Sequence, residues 1–335
     1  MRASRGMLGI LLGLAAGLAF GAGGAVVKPV LEAGWTPGAA VFTRIAVAAV
    51  LLTIPALVAL KFDLRPLWRA KWIVLLYGLV AVAGVQFAFY ASLERIPVST
   101  TLLIEYLAPI ALVLFAWVRT RRLPQRVVLA GSVLAIIGLV LVIGPGMVGS
   151  GGGSLDPLGL LFALVAMIGV CVYYALGERA GDALPPIALV AAGFWVGAIA
   201  LAVLGATGLL PMHAEFGDVD FLGGTAPAMV PLLVVGLVST AFAYVAGIAA
   251  IGMLGSRLAA FLGLSEVVFA GVIGWVLLGE ALSPLQLLGG AAILGGIVLV
   301  RMERRAEPET SVPLEIDLVP AADAPATSST PHAAS

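Results

Sequence analysis

Residues 72–92 read WIVLLYGLVAVAGVQFAFYAS, which is twenty-one consecutive positions without a charged side chain. A helix rises about 1.5 Å per residue, so about 20 apolar residues cross a hydrocarbon core about 30 Å thick. Strands of membrane barrels are shorter and alternate between apolar and polar residues. This stretch therefore predicts a transmembrane helix.

Nine further stretches of the chain have the same apolar character. The ten predicted spans are residues 8–27, 38–60, 72–92, 98–118, 127–143, 158–176, 186–204, 228–254, 258–278 and 285–300. Of the 335 residues, 61% are hydrophobic and 11% are charged, whereas a soluble domain carries about a quarter charged residues. We therefore predict an all-α integral membrane protein of about ten transmembrane helices.

The lysines and arginines predict how the chain crosses the membrane. Fifteen of the eighteen basic residues fall on one side of the predicted spans, and only Lys28 and Arg95 fall on the other. Cytoplasmic loops carry an excess of basic residues. Both termini are therefore predicted in the cytoplasm, the acidic loop around Asp218 is predicted outside, and the protein is expected in the inner or plasma membrane.

The two termini carry separate signals. Arg2 and Arg5 before an apolar run are also typical of a cleaved signal peptide. Four glycines at four-residue spacing instead favour a membrane helix that packs closely on a neighbour, and they are Gly9, Gly13, Gly17 and Gly21. Residues 306–335 are rich in Pro, Ala, Ser and Thr, so we predict a disordered cytoplasmic tail.

Charge and residue counts exclude several kinds of site. The net charge is zero, so we expect no nucleic-acid partner. The two histidines, His213 and His332, lie in a loop and in the tail, and Cys171 is the single cysteine. We therefore expect no metal site, no histidine-based catalytic triad and no cofactor.

The two halves of the chain contain a repeated sequence. Residues 115–142 and 273–300 align without a gap at one constant shift. The matched positions include Trp117 with Trp275, Gly131 with Gly289, and Gly138 with Gly296. Because each half holds five spans, the second copy must insert upside down, as in many secondary transporters. We predict two inverted five-helix repeats, at residues 8–143 and 158–300.

Three segments resemble the EamA family of drug/metabolite transporters. They are FTRIAVAA at 42–49, LERIPVSTTLL at 93–103, and LSEVVF at 264–269 with WVLLGE at 275–280. The resemblance extends over residues 8–300, and residues 95–109 resemble the bacterial threonine/homoserine exporters. It implies a ten-helix carrier with a central cavity that exports amino acids and related metabolites.

The chain departs from the family pattern at two places. The family usually has Glu-Pro where this chain has Glu266 and Val267. The first half keeps the proline, as Pro109, but has Arg121 and Arg122 at the positions of the family's Gly-Glu. These departures bear on substrate subclass more than on fold.

Two acids lie inside the predicted spans, Glu105 and Glu266. Their distances from the span ends place both near the middle of the bilayer. An ionised carboxylate at this depth costs about 2.5–3.5 kcal/mol on insertion scales, so it faces the bundle interior or water. Each acid either titrates or contacts substrate in a central cavity, or only fixes helix packing.

Arg44 is the only basic residue inside the predicted spans. Its planar guanidinium suits a substrate carboxylate. It would equally suit a static ion pair with Glu105, and we expect that structural pairing.

Further cavity candidates come from the polar and aromatic residues of the spans. Gln86 and Tyr90 are four residues apart and share a helix face. The aromatic candidates are Tyr106, Tyr173, Tyr174, Trp195 and Tyr244, although an aromatic residue in a span is more often packing or an interface anchor. Ser99, Thr100 and Thr101 are expected to cap the fourth span rather than to bind substrate.

Three classes of function fit a protein of this composition. An intramembrane enzyme would need convergent His, Asp or Ser/Lys groups, and the spans contain no histidine or lysine. A channel would show rings of like charge, and none appears. The inverted repeat and the midplane acids favour a secondary transporter of small polar metabolites, most simply an exporter. A uniporter is the alternative; the proton is the candidate coupling ion and a homodimer the candidate assembly.

Overall fold

The computed structural model describes residues 2–93, 95–96, 98–121, 123–148, 156–180, 184–278 and 283–303. The predicted tail at 306–335, and Gly279 and Glu280 of the family signature, lie outside these ranges. The described chain is helical apart from connecting turns, the loop at residues 207–217 and one β-hairpin.

The first half contains eight α-helices and one π-helical segment. They are α1 (Arg2–Glu32), α2 (Pro37–Ala59), α3 (Arg65–Arg69), α4 (Lys71–Leu76), the first π segment (Tyr77–Gly84), α5 (Val85–Leu93), α6 (Val98–Glu105), α7 (Ala108–Thr120) and α8 (Arg126–Val148).

The second half contains seven α-helices, a second π segment and a hairpin. They are α9 (Pro157–Ala180), α10 (Pro186–Ala206), β1 (Asp218–Phe221), β2 (Gly224–Pro227), α11 (Met229–Val234), the second π segment (Val235–Phe242), α12 (Ala243–Leu254), α13 (Ser256–Gly263), α14 (Ser265–Leu278) and α15 (Pro284–Glu303).

These elements form the ten predicted spans. Within the described ranges, eight helical stretches are long and apolar enough to cross a membrane. Two shorter apolar stretches, Arg126–Val142 and Pro284–Val300, supply the fifth and tenth spans. The prediction of a ten-helix membrane protein is confirmed.

The interiors of four spans differ from the continuous helices that the sequence predicts. The third and eighth spans contain the π segments, and the fourth and ninth are broken after Glu105 and after Gly263. At the first break, Pro109 lies at the start of α7 and has no N–H to bond to the preceding turn. At the second, Ser265 Oγ donates to the Leu262 carbonyl oxygen at 2.7 Å, in competition with the backbone. Hydropathy records composition only, so it does not register these changes.

The element boundaries repeat at the same shift as the matched residues of the sequence. Helix α4 begins at Lys71 and α11 at Met229, which are equivalent positions of the two halves. The two π segments also begin at equivalent positions, and so do α6 and α13, and α8 and α15. A π segment is rare in proteins. Its presence at equivalent positions of both halves shows that the halves share one backbone plan.

Helices α8 and α15 show that the two halves are related by a two-fold exchange. A Cβ at Gly131 would lie 2.9 Å from the Gly296 carbonyl oxygen, and a Cβ at Gly138 would lie 2.6 Å from that of Gly289. Gly131 is the equivalent of Gly289, and Gly138 of Gly296. Such exchanged contacts are the signature of a two-fold relation, and they require the two helices to run antiparallel.

The glycine face of α1 packs against the second half. A Cβ at Gly9 would lie 2.9 Å from Met253 Cβ, and a Cβ at Gly21 would lie 2.8 Å from the backbone nitrogen of Ala270. The predicted close packing of this face is confirmed. In return, α9 packs on the third span, where a Cβ at Gly169 would lie 2.5 Å from Val85 Cγ2. The halves are therefore interlocked.

The predicted acidic loop is an ordered structure that lies on the turn between α1 and α2. Thr36 Oγ1 donates to the Pro211 carbonyl oxygen at 2.9 Å and accepts from the His213 N–H at 2.9 Å. The Trp35 indole N–H donates to the Glu215 carbonyl oxygen. These bonds tie the loop to the end of the bundle where the α1–α2 turn lies, which we call the turn end.

Candidate functional site

A cavity of about 370 Å³ lies between the two halves of the bundle. Ligand pockets commonly have volumes of about 300–1,000 Å³. All eight of the principal site candidates from the sequence line it, namely Arg44, Gln86, Tyr90, Glu105, Tyr106, Tyr174, Tyr244 and Glu266. Val27, Leu31 and Ala40 carry the lining toward the turn end.

The helix breaks place both acids on the cavity. Glu105 is the last residue of α6, and Glu266 lies in the first turn of α14. Free N–H groups and the positive end of the helix dipole favour a negative charge at the start of α14. The breaks thus position two carboxyl groups from inversely oriented spans, and the two interact electrostatically.

Hydrogen-bonding groups surround the acids. On the cavity wall, Tyr106 lies beside Glu266, and Gln86 lies beside Tyr244. Gln86 and Tyr244 are equivalent positions of the two repeats, at the same shift that relates Trp117 to Trp275. Their proximity therefore marks where the two-fold relation passes through the cavity.

The expected ion pair between Arg44 and Glu105 is wrong. Among the described residues, no carboxylate oxygen lies within 4.0 Å of an Arg44 nitrogen. Arg44 Nε is buried without a hydrogen-bond partner. Both side chains line the cavity without forming an ion pair. Arg44 acts on Glu266, Tyr90 and Tyr244 at longer range.

One aromatic candidate lies elsewhere. Trp195 is 43% exposed and its indole N–H donates to Thr53 Oγ1 at 2.9 Å, on the outer face of the bundle. A tryptophan can anchor a lipid-facing surface as well as line a cavity. The residue type alone therefore did not predict whether Trp195 faces lipid or the cavity. Tyr173, in contrast, lines the cavity.

The polar start of the fourth span serves packing at the one position described. Thr101 is fully buried, and its hydroxyl lies 2.9 Å from the Ser92 hydroxyl. The side chains of Ser99 and Thr100 lie outside the described part of the structure.

Sequence reasoning missed several residues that shape the cavity. Phe20, Gly23 and Gly24 line it from α1, and Pro109 lines it from the start of α7. A proline and a glycine that interrupt equivalent spans are a known indicator of a transporter site, and this signal was present as Pro109 and Gly263.

The cavity offers a chemically mixed surface. It holds one guanidinium, two carboxyl groups, one amide and several phenol hydroxyls on an otherwise apolar wall. Such a site can receive a small molecule that carries both a negative and a positive group, and its carboxyl groups can exchange protons.

Comparison with known proteins agrees with this architecture. The EamA-like transporter family matches residues 7–144 and again residues 157–302. A solved crystal structure matches with a TM-score of 0.70 over 91% of this chain and 99% of that chain. Its sequence identity is 19%, so the likeness is one of fold.

Several relatives match in sequence along most of the chain. The threonine/homoserine exporter RhtA of Escherichia coli (strain K12) is 29% identical over 269 residues, which is 77% of this chain and 83% of that protein. The exporter of the same name from Salmonella typhimurium (strain SL1344) is 30% identical over 271 residues, 78% of this chain and 83% of its own. An uncharacterized transporter of Archaeoglobus fulgidus is 27% identical over 253 residues, 74% of this chain and 83% of its own.

The double family match and the membrane fold lead to one assignment: this multi-pass membrane transporter belongs to the EamA-like transporter family.

Proposed function

We propose that this protein is a secondary transporter that exports amino acids or similar small zwitterions by alternating access through the central cavity. The observation that carries the proposal is the Arg44 guanidinium, which shares the cavity with Glu105 and Glu266, pairs with neither, and has its Nε buried without a partner. A buried polar group without a partner is costly, and more so when it is charged. A substrate that brings a carboxylate would remove that cost.

The remaining groups suit the other end of an amino acid. A substrate ammonium group can lie near the carboxyl groups of Glu105 and Glu266, which share the cavity with Arg44. Charge-assisted hydrogen bonds are roughly twice as strong as neutral ones. The names of the relatives, threonine/homoserine exporters, support the same class.

Glu105 is the proposed coupling carboxyl group. A proton and a substrate ammonium group would compete for it, since either one neutralises the same charge. Protonation would then favour one facing state and substrate binding the other, each by no more than its differential affinity for the two states. Both termini are proposed to be cytoplasmic, so the turn end, toward which the cavity extends, would face outside.

Reconstitution tests the substrate class. Purified protein in proteoliposomes should exchange labelled amino acids, and Arg44→Gln should lower exchange by roughly tenfold or more, because a hydrogen bond to a charged group contributes about 1.5–3 kcal/mol. Trp195→Phe, on the outer face, serves as the matched control and should retain exchange. Equal exchange by Arg44→Gln and Trp195→Phe would contradict the role of Arg44, and no exchange of any amino acid would contradict the substrate class.

A further inference from the structure

The contacts of the first two spans extend the repeat relation to every span. A Cβ at Gly9 would meet Met253, and a Cβ at Gly159 would lie 2.8 Å from Arg95 Cβ. Arg95 and Met253 are equivalent by the shift that relates the later spans. Gly9 on α1 therefore corresponds to Gly159 on α9, which is a smaller shift than that of the later spans.

A second pair of contacts relates α2 to α10. A Cβ at Gly78 would lie 2.5 Å from Val196 Cβ, and one at the equivalent Gly236 would lie 3.0 Å from Val47 Cβ. Val47 therefore corresponds to Val196. By the same shift, Arg44 corresponds to Gly193.

These correspondences show that equivalent positions at the two ends of the cavity carry residues of different size. Toward the turn end, small residues Gly23, Gly24 and Val235 line the cavity. At the opposite end, which we call the closed end, the corresponding residues are three tyrosines. They are Tyr173, Tyr174 and Tyr77, in the same order.

The Tyr77 ring packs directly against Gly193, in the space that a larger residue at position 193 would need for its side chain. It is fully buried and lies behind the cavity, with its ring centroid 6.0 Å from that of Tyr173. A Cβ at Gly193 would overlap the Tyr77 ring, with 2.8 Å to Cε1. At the turn end, the equivalent positions are Val235 and Arg44, which both line the cavity, and Arg44 supplies the guanidinium.

The Tyr77 hydroxyl is buried without a hydrogen-bond partner among the described residues. A buried polar group without a partner destabilises the state that holds it. Tyr77 is also the first residue of a π segment, and such segments concentrate at functional positions.

We propose that Tyr77 is the gate of the closed end: seated on Gly193 it blocks the path behind Tyr173, and the path opens when its side chain leaves Gly193. Its hydroxyl then reaches the water of the opened path. The proposal rests on the alternating access of the proposed function, but not on the substrate.

Cysteine labelling measures the gate without any substrate. Val170, which lines the cavity from α9, is replaced by cysteine in a Cys171→Ser background. An impermeant thiol reagent is then applied to right-side-out and inside-out vesicles. The parent should label faster from the turn end. Tyr77→Val, which gives the closed end the residue of the turn end, and Gly193→Ala, which displaces the ring, should each raise labelling from the closed end by roughly tenfold or more.

Two controls keep the test decisive. Leu201→Ala cuts a fully buried residue on the same helix as Gly193, and it should leave closed-end labelling unchanged. Tyr77→Phe removes only the hydroxyl and should lower closed-end labelling severalfold. The state in which the ring packs on Gly193 then no longer buries an unsatisfied polar group, so it becomes more stable. The proposal is overturned if neither Tyr77→Val nor Gly193→Ala changes closed-end labelling while turn-end labelling persists. It is also overturned if Leu201→Ala raises closed-end labelling equally.

The outcome separates this inference from the proposed function. Labelling that follows Tyr77 and Gly193 in a protein that exchanges no amino acid would keep the gate and reject the substrate class. Amino-acid exchange, together with labelling that is unaffected by changes at Tyr77 and Gly193, would keep the substrate class and reject the gate.

Discussion

At the scale of single residues, three charges define the cavity. Arg44, Glu105 and Glu266 are the charged side chains inside the predicted spans, and all three line one volume of about 370 Å³. Because a charge that faces lipid is costly, residue type alone predicted that they face inward. Which of them would pair was not predictable, because the depth of a residue along its helix does not determine which side chains are in contact.

The absence of an Arg44–Glu105 contact among the described residues makes a quantitative prediction. Residues in direct contact or in one network couple by up to about 3 kcal/mol, whereas residues more than about 7–10 Å apart with no shared partner add to within about 0.5 kcal/mol. Because Arg44 and Glu105 make no ion pair but share Tyr90 and Tyr244 as neighbours, we expect the effects of Arg44→Gln and Glu105→Gln on the unfolding free energy in detergent to couple by less than about 1 kcal/mol in the double variant. A coupling energy well above about 1 kcal/mol would instead indicate that Arg44 and Glu105 form an ion pair.

The aromatic residues show where prediction from sequence ends at this scale. Gln86 and Tyr90 were placed on one helix face, and both line the cavity. Trp195 lies on the outer face, in line with the expectation that an aromatic residue in a span more often packs or anchors than lines a cavity. Tyr77 went unnoticed because its environment depends on Gly193, which lies far away in the other half of the chain.

At the scale of elements, close backbone approach holds the halves together. Spans were predictable to within a few residues from hydropathy, but the π segments and the breaks beside Glu105 and Glu266 were not. They arise from backbone hydrogen bonding, which apolar composition does not encode. The repeat did contain a hint, since glycines at equivalent positions proved to be the contact points of α8 and α15.

The α8–α15 contact should tolerate no added side chain. A Cβ at Gly138 would lie 2.6 Å from the Gly289 carbonyl oxygen, and backbone cannot move aside as a side-chain tip can. We expect Gly138→Ala to destabilise the protein by about 1–3 kcal/mol, seen as a lower thermal midpoint in detergent. Gly217→Ala, with no atom within 4 Å of the added Cβ, is the matched control. Equal midpoints for the two variants would refute the tight contact.

At the scale of the whole molecule, the inverted orientation of the two repeats relates the two ends of the cavity to each other. Two copies of one five-span plan lie in opposite orientations, so each end of the cavity has its counterpart at the other. The residues at those counterparts differ, with glycines and a valine toward the turn end and tyrosines toward the closed end. The two ends of the cavity are therefore built from one backbone plan but lined by different residues.

The orientation in the membrane is testable directly. The charge distribution predicts that the hairpin lies outside and α3 lies in the cytoplasm. In a Cys171→Ser background, Asp218→Cys should label in intact cells with an impermeant reagent, and Arg69→Cys should label only after permeabilisation. The opposite pattern would invert the topology and place the turn end in the cytoplasm.

The central claim is that the cavity couples a proton to a small zwitterion through Glu105. Glu105→Gln preserves the shape and hydrogen-bonding capacity of the side chain but cannot ionise. In proteoliposomes, substrate exchange and uphill transport driven by an imposed pH gradient are measured side by side for the wild type, Glu105→Gln and Glu266→Gln. Glu105→Gln is expected to retain exchange and to lose the gradient-driven accumulation. A wild-type response of Glu105→Gln to the pH gradient would contradict it and leave Glu105 a structural residue.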